Sequence, residues 1–126
     1  MGKYFFCFFV LSCFRVPVSA QESTGSFSEA MKSEMCAKVK EAAQHAWKGY
    51  KNYAWGSDDL RPLTKTSRNW YKHSLLMTPV DAFDTFIMLG LKDEAREAKE
   101  LILSRLDFNI DDEVQVFEIT IRQLGG

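Results

Sequence analysis

Apolar positions recur at steps of three or four over much of the chain, and such steps predict helices. Met31, Met35, Val39, Ala42, Ala46, Tyr50 and Tyr53 draw one stripe on a helix that begins near Glu29. Lys32, Lys38, Lys40, Glu41, Lys48 and Lys51 occupy its other faces, so the stripe is the face expected to be buried. The rhythm stops over residues 55–77. Gly56, Pro62, several Ser and Thr, and the charges of Asp58, Asp59 and Arg61 predict a long loop there. Trp55, Trp70 and Tyr71 within it form either a packing surface or a platform for sugar rings.

A second helix is signalled by Thr78 as N-cap, Pro79 in the first turn and Asp81 three residues after the cap. Val80, Phe83, Ile87 and Gly90 share one side of it, Phe86 and Leu89 broaden that side, and Gly90 is placed to end it. A third helix over 94–106, capped by Asp93, turns Ala95, Ala98, Ile102 and Leu106 inward. An acid-rich turn follows, and a fourth helix is expected from about Asp112. The helical spacing of Val114, Phe117, Ile121 and Leu124 outweighs the β-propensity of the Val114 to Phe117 run. The fold class is therefore all-α, with successive helices and no strand.

The first twenty residues do not belong to this pattern. Lys3 is followed by an uncharged apolar run and then by Arg15, Pro17 and the small-residue ending Val18-Ser19-Ala20. This is the plan of a secretory signal peptide cleaved after Ala20; a short membrane anchor, or lipoprotein processing at Cys13, is the alternative. Residues 21–28 read as a flexible lead-in. The leader fits a secretory-pathway destination: an ER lumen, a periplasm or the outside of a cell.

Composition narrows the function classes. The 126 residues are 46% hydrophobic and 26% charged, as in a globular protein. The 16 basic residues against 17 acids give a net charge of −1, and losing Lys3 and Arg15 with the leader leaves 14 basic residues and a net of −3. No basic field therefore points to nucleic acid or anionic lipid. Cleavage also removes Cys7 and Cys13, which leaves Cys36 alone and expected to be a small buried residue. His45 and His73 have no companions at metal-ligand spacing, so no metal site is expected in this chain.

Chemistry concentrates in the last helix. Glu118 and Arg122 stand four residues apart, acid first, on a segment that is apolar on more than one side. Spacing alone supports a structural ion pair, or a carboxyl whose burial suits it to general-acid work. Asp81 has a complete explanation as a helix-capping acid.

The blocks Val39-Lys40-Glu41-Ala42, His45-Ala46-Trp47, Gly49-Tyr50, Tyr53-Ala54-Trp55-Gly56, Asp58-Asp59-Leu60-Arg61-Pro62-Leu63, Asn69-Trp70-Tyr71, Val80-Asp81-Ala82-Phe83-Asp84-Thr85, Leu106-Asp107-Phe108 and Val116-Phe117-Glu118-Ile119-Thr120-Ile121-Arg122, in this order, carry a resemblance. The series resembles the N-terminal part of glycoside hydrolase family 47, the class I α-1,2-mannosidases. The resemblance implies the N-terminal helical hairpins of an (α/α)₇ barrel, with 29–126 as the incomplete catalytic domain. It implies an inverting enzyme that removes α-1,2-linked mannose from high-mannose N-glycans, monomeric at full length. Glu118 matches the family's proposed general acid, acting through a water. Arg122 matches an arginine that lines the substrate cleft, and Asp81 an acid near the active site, both read as substrate-binding. The implied Ca²⁺ and the general base are expected outside this chain, which alone is expected to be inactive and prone to association. Ser57, and Lys72-His73 after Asn69-Trp70-Tyr71, depart from the common pattern and bear on substrate preference. A non-catalytic glycan-binding relative and a small secreted helical interaction protein are the alternatives.

Overall fold

A computed structural model describes residues 27–125, so the expected leader at 1–20 and most of the lead-in lie outside the described residues. Helix α1 spans Glu29–Tyr53, a hairpin pairs β1 (Asp59–Arg61) with β2 (Thr66–Arg68), and α2 (Met77–Leu89), α3 (Lys92–Arg105) and the short α4 (Val116–Ile119) follow. The last element continues from α4 as a π-helical turn over Thr120–Leu124. The molecule is mostly helical, in agreement with the all-α reading. The hairpin is a correction to the expected absence of strands.

Helix α1 starts at a side-chain cap. Ser28 Oγ accepts the Met31 N–H at 3.2 Å, so the end of the expected lead-in is the ordered cap of this helix. The stripe read from the sequence is not the buried face. Met31, Met35, Val39, Ala42, Ala46 and Tyr53 are exposed, and Cys36, expected inside, is exposed too. The first half of α1 has no described element packed on it. The face that packs runs through Ala43, Trp47, Tyr50 and Ala54, one position away from the stripe.

The core gathers on that face. Trp47 stacks on Tyr50 with centroids 5.3 Å apart and takes the edge of Phe86 at 4.9 Å. Leu76, Leu91, Ala98 and Leu101 close the cluster from α2, α3 and their connections. The indole N–H of Trp47 donates to Glu97 at 2.9 Å, so the polar end of the ring is satisfied at the core's rim. Burying a side chain such as Phe86 stabilises by about 1.5–3 kcal/mol.

Helices α2 and α3 form a hairpin because Gly90 adopts φ 71°. Leu91 N–H donates to Phe86 C=O and Gly90 N–H to Ile87 C=O, the paired bonds of a Schellman cap. Leu91 and Phe86 meet in the core, which supplies the cap's usual apolar contact. Asp93 does not cap α3: the helix begins after Leu91 with no side-chain cap, and Asp93 pairs with Arg96 in its first turn.

Candidate active site

The site is built on a loop tied down by one carboxylate. Asp58 is fully buried. Its Oδ1 accepts from Leu75 N–H at 2.7 Å, Met77 N–H at 3.4 Å and the Ser74 hydroxyl at 3.0 Å. Its Oδ2 accepts from Trp70 N–H at 2.8 Å. The Asp58 carbonyl accepts both the N–H and the hydroxyl of Thr78. These bonds satisfy the free N–H groups at the start of α2, which would otherwise be buried without partners. Thr78 is therefore not the N-cap. The helix begins two residues earlier, at Met77 after Leu76 in the left-handed region at φ 53°, and Asp58 caps it from outside. Asp81 is thereby released from the capping role that its spacing suggested.

The hairpin fixes the other end of the loop. Asp59 pairs with Arg68 across the strands, and Arg68 Nη2 donates to Asp59 Oδ2 at 2.5 Å. Trp70 Nε1 donates to the same oxygen at 2.8 Å. Burial alone would raise the Asp59 carboxyl, but the hydrogen bonds from Arg68 and Trp70 outweigh it and hold its pKa below the ordinary range. Trp70 is thus gripped at its backbone by Asp58 and at its ring nitrogen by Asp59.

Onto this frame the last segment brings Glu118 and Arg122. The stretch from Leu106 to Gln115 is irregular, so α4 begins at Val116 and not near Asp112. Two bonds guide the approach: Gln115 N–H donates to the Tyr71 hydroxyl at 3.2 Å, and His73 N–H donates to Asp112 at 3.0 Å. Gln123 Nε2 then donates to Leu75 C=O at 2.8 Å.

Asp81, Glu118 and Arg122 come together. Arg122 Nε donates to Glu118 Oε2 at 2.7 Å, and Nη1 donates to Asp81 Oδ2, 41 positions away. The guanidinium lies over the Trp70 ring, 5.0 Å from its centroid. Hydrogen bonds from Arg122 to Glu118 and then Asp81 raise the arginine's pKa, so the cation is secure at any working pH. All three charged side chains are half-buried, which leaves room for a ligand. Alongside lies an open cleft of about 450 Å³ lined by Arg68, Asn69, Trp70, Tyr71 and Gln115. Its aromatic faces and side-chain amides are the groups that bind the apolar faces and hydroxyls of a sugar.

The last helix, apolar on more than one side, is not buried in this structure. No residue of α4 or of the π-helical turn is buried, and Val116, Phe117 and Leu124 stand well exposed, because the other helices cover none of those faces. Among the described residues no three His, Cys, Asp or Glu side chains converge to hold a metal. Asp81 and Glu118 both turn an oxygen to Arg122, so this donor set does not fit Ca²⁺. Asp58 was not singled out from the sequence. Its only signal was an acid beside Gly56, among loop residues whose N–H groups needed acceptors.

Comparison with known proteins gives the family of the chain. The family model for glycosyl hydrolase family 47 matches residues 42–126, and the chain belongs to that family. The rat endoplasmic reticulum mannosyl-oligosaccharide 1,2-alpha-mannosidase is 49% identical over 88 residues, which is 70% of this chain and 13% of that protein. The pig mannosyl-oligosaccharide 1,2-alpha-mannosidase IA is 42% identical over 101 residues, 79% of this chain and 15% of its own length. An Arabidopsis thaliana mannosyl-oligosaccharide 1,2-alpha-mannosidase is 45% identical over 89 residues, 71% of this chain and 16% of the relative. The chain thus spans about one-seventh of the length of these relatives.

Proposed function

We propose that this chain supplies the general-acid side of an inverting α-1,2-mannosidase that trims high-mannose N-glycans in the secretory pathway. The observation that carries the reading is the convergence of Glu118, Arg122 and Asp81 beside Trp70 in a chain of this family. The names of the relatives support the linkage and the substrate class, and the endoplasmic reticulum relatives support the compartment. No described helix is long and apolar enough to cross a membrane.

In this reading Glu118 sends a proton through a water to the glycosidic oxygen as the bond to the departing mannose breaks. Its Oε2 is held by Arg122, which leaves Oε1 for the substrate side. Arg122 binds sugar hydroxyls, and the Trp70 cleft carries a neighbouring ring. Inversion requires a second carboxyl that activates water from the opposite face. We assign that base, and the ligands of the implied Ca²⁺, to residues outside this chain.

The double engagement of Arg122 favours one second reading: a glycan-binding site without turnover, in which Glu118 only orients the cation. One experiment separates the two. Residues 42–126 of this chain are placed in the rat enzyme in place of its matching segment, and release of α-1,2-linked mannose is measured. The exchanged enzyme is expected to hydrolyse. Glu118→Gln is expected to lower kcat by about 10²–10⁴-fold while glycan binding is retained. Turnover that survives Glu118→Gln would remove Glu118 as the acid.

A further inference from the structure

Arg122 is held by three neighbours from three different parts of the fold. Glu118, one turn earlier in the same segment, takes Nε. Trp70, from the loop after β2, lies under the guanidinium plane. Asp81, on α2, takes Nη1. Among the described residues, Nη2 donates to no protein acceptor.

The three contacts constrain different motions. Glu118 travels with Arg122, so it fixes the side chain's rotamer and not its position relative to the body. Trp70 sets the height of the plane, yet a ring face lets a cation slide and turn above it. The carboxylate of Asp81 is the contact that ties the in-plane direction of the guanidinium to a separate element. A guanidinium is planar and rigid, so fixing two of its nitrogens and one face also fixes the third nitrogen. Asp81 itself stands one turn into α2, whose start is clamped by the Asp58 carbonyl and carboxylate. The clamp and the pair form one chain of contacts from Asp58 to Arg122.

We infer that Asp81 is a positioning residue that acts through Arg122, taking one edge of the guanidinium so that Nη2 is the edge presented to a sugar hydroxyl. Asp81 then contributes to glycan recognition without contacting the glycan. The inference rests on the proposed reading that Arg122 faces the substrate. It replaces direct substrate binding by Asp81, the role implied by resemblance.

Two measurements test it. The first uses the rat enzyme carrying this chain's residues 42–126, with Asp81→Asn, Arg122→Met and the double variant. Each single change is expected to raise KM roughly tenfold, with a smaller effect on kcat, because one charge-assisted contact to the ligand is lost or misdirected. The double variant is expected to match Arg122→Met alone, and Asp81→Glu to recover part of the loss. Losses that multiply in the double variant would mean that Asp81 touches the sugar itself, and the inference would fall. The second uses the ¹⁵N-labelled 126-residue chain and follows the indole N–H resonance of Trp70. Asp81→Asn is expected to move it in the same direction as Arg122→Met; an unmoved resonance would overturn the inference without reference to hydrolysis. An exchanged enzyme that does not hydrolyse would count against the proposed function, and the resonance would still decide the role of Asp81.

Discussion

Asp58 and Trp70, twelve positions apart, are joined by a bond from the Trp70 N–H to the buried Asp58 carboxylate at 2.8 Å. The same carboxylate holds the entry to α2, so a single side chain sets both the aromatic wall of the site and the helix that carries Asp81. Asp58→Ala should leave several buried N–H groups unpaired and cost about 3 kcal/mol or more. Denaturant unfolding of the variant checks this. A loss below about 1 kcal/mol would mean that water replaces the carboxylate without penalty.

Gly90→Ala isolates a backbone effect. The nearest atom to an added Cβ is Lys40 Nζ at 4.0 Å, so nothing obstructs it. The penalty comes from φ 71° alone and should be about 1 kcal/mol. Equilibrium unfolding should show a lower midpoint with an unchanged slope.

Two carboxyls make the fold sensitive to acid. On Glu97, burial pushes the pKa up, but the hydrogen bonds from Lys51 and Trp47 outweigh it and hold it below its ordinary 4.5. Asp59 is depressed in the same sense, with Arg68 and Trp70 overcoming burial. A depressed acid stabilises the native state above its unfolded pKa, and that contribution is lost as pH falls through the native value. The Tm should therefore begin to fall below about pH 4.5, and Glu97→Gln should flatten part of the slope. Tyr50 acts in the opposite direction. Burial pushes its phenol up to about 12, so its contribution holds below its ordinary value of 10.0 and is lost as pH rises toward 12.

Exposed apolar faces should make the chain associate on its own. Val116 is 76% exposed, Phe117 67% and Leu124 80%, all on the last segment. Sedimentation velocity should show species that grow with concentration, and Phe117→Ser with Leu124→Ser should reduce them. Monomers throughout a wide concentration range would contradict this.

Helix positions were legible because local rules decide them. Gly90 ended α2 where its spacing said, and the Glu118–Arg122 pair formed as its order said. The buried face of α1 was missed because Met31, Met35 and Val39 follow helical spacing as well as Trp47 and Tyr50 do. Which stripe is covered depends on where the neighbouring helices lie. The hairpin was missed because its strands carry Arg61, Thr66, Ser67 and Arg68 and are held by backbone pairing and the Asp59–Arg68 pair, with no apolar alternation to announce them. Thr78 looked like a cap because the true one, Asp58, comes from twenty positions earlier, beyond the reach of any local pattern. The grouping of Asp81 with Arg122 was likewise invisible to spacing, since it spans 41 positions.

The segment bearing Glu118 is moored to the rest of the molecule chiefly by Arg122 on Asp81, Gln123 on Leu75 and Gln115 on Tyr71, with no buried residue of its own. A mooring of charge and hydrogen bonds has a different temperament from one of packed side chains: a salt such as sodium sulfate screens the first and tightens the second. In this chain, rising ionic strength should therefore unfasten the proposed acid before it disturbs the tryptophan core, and the two events should separate along a salt titration.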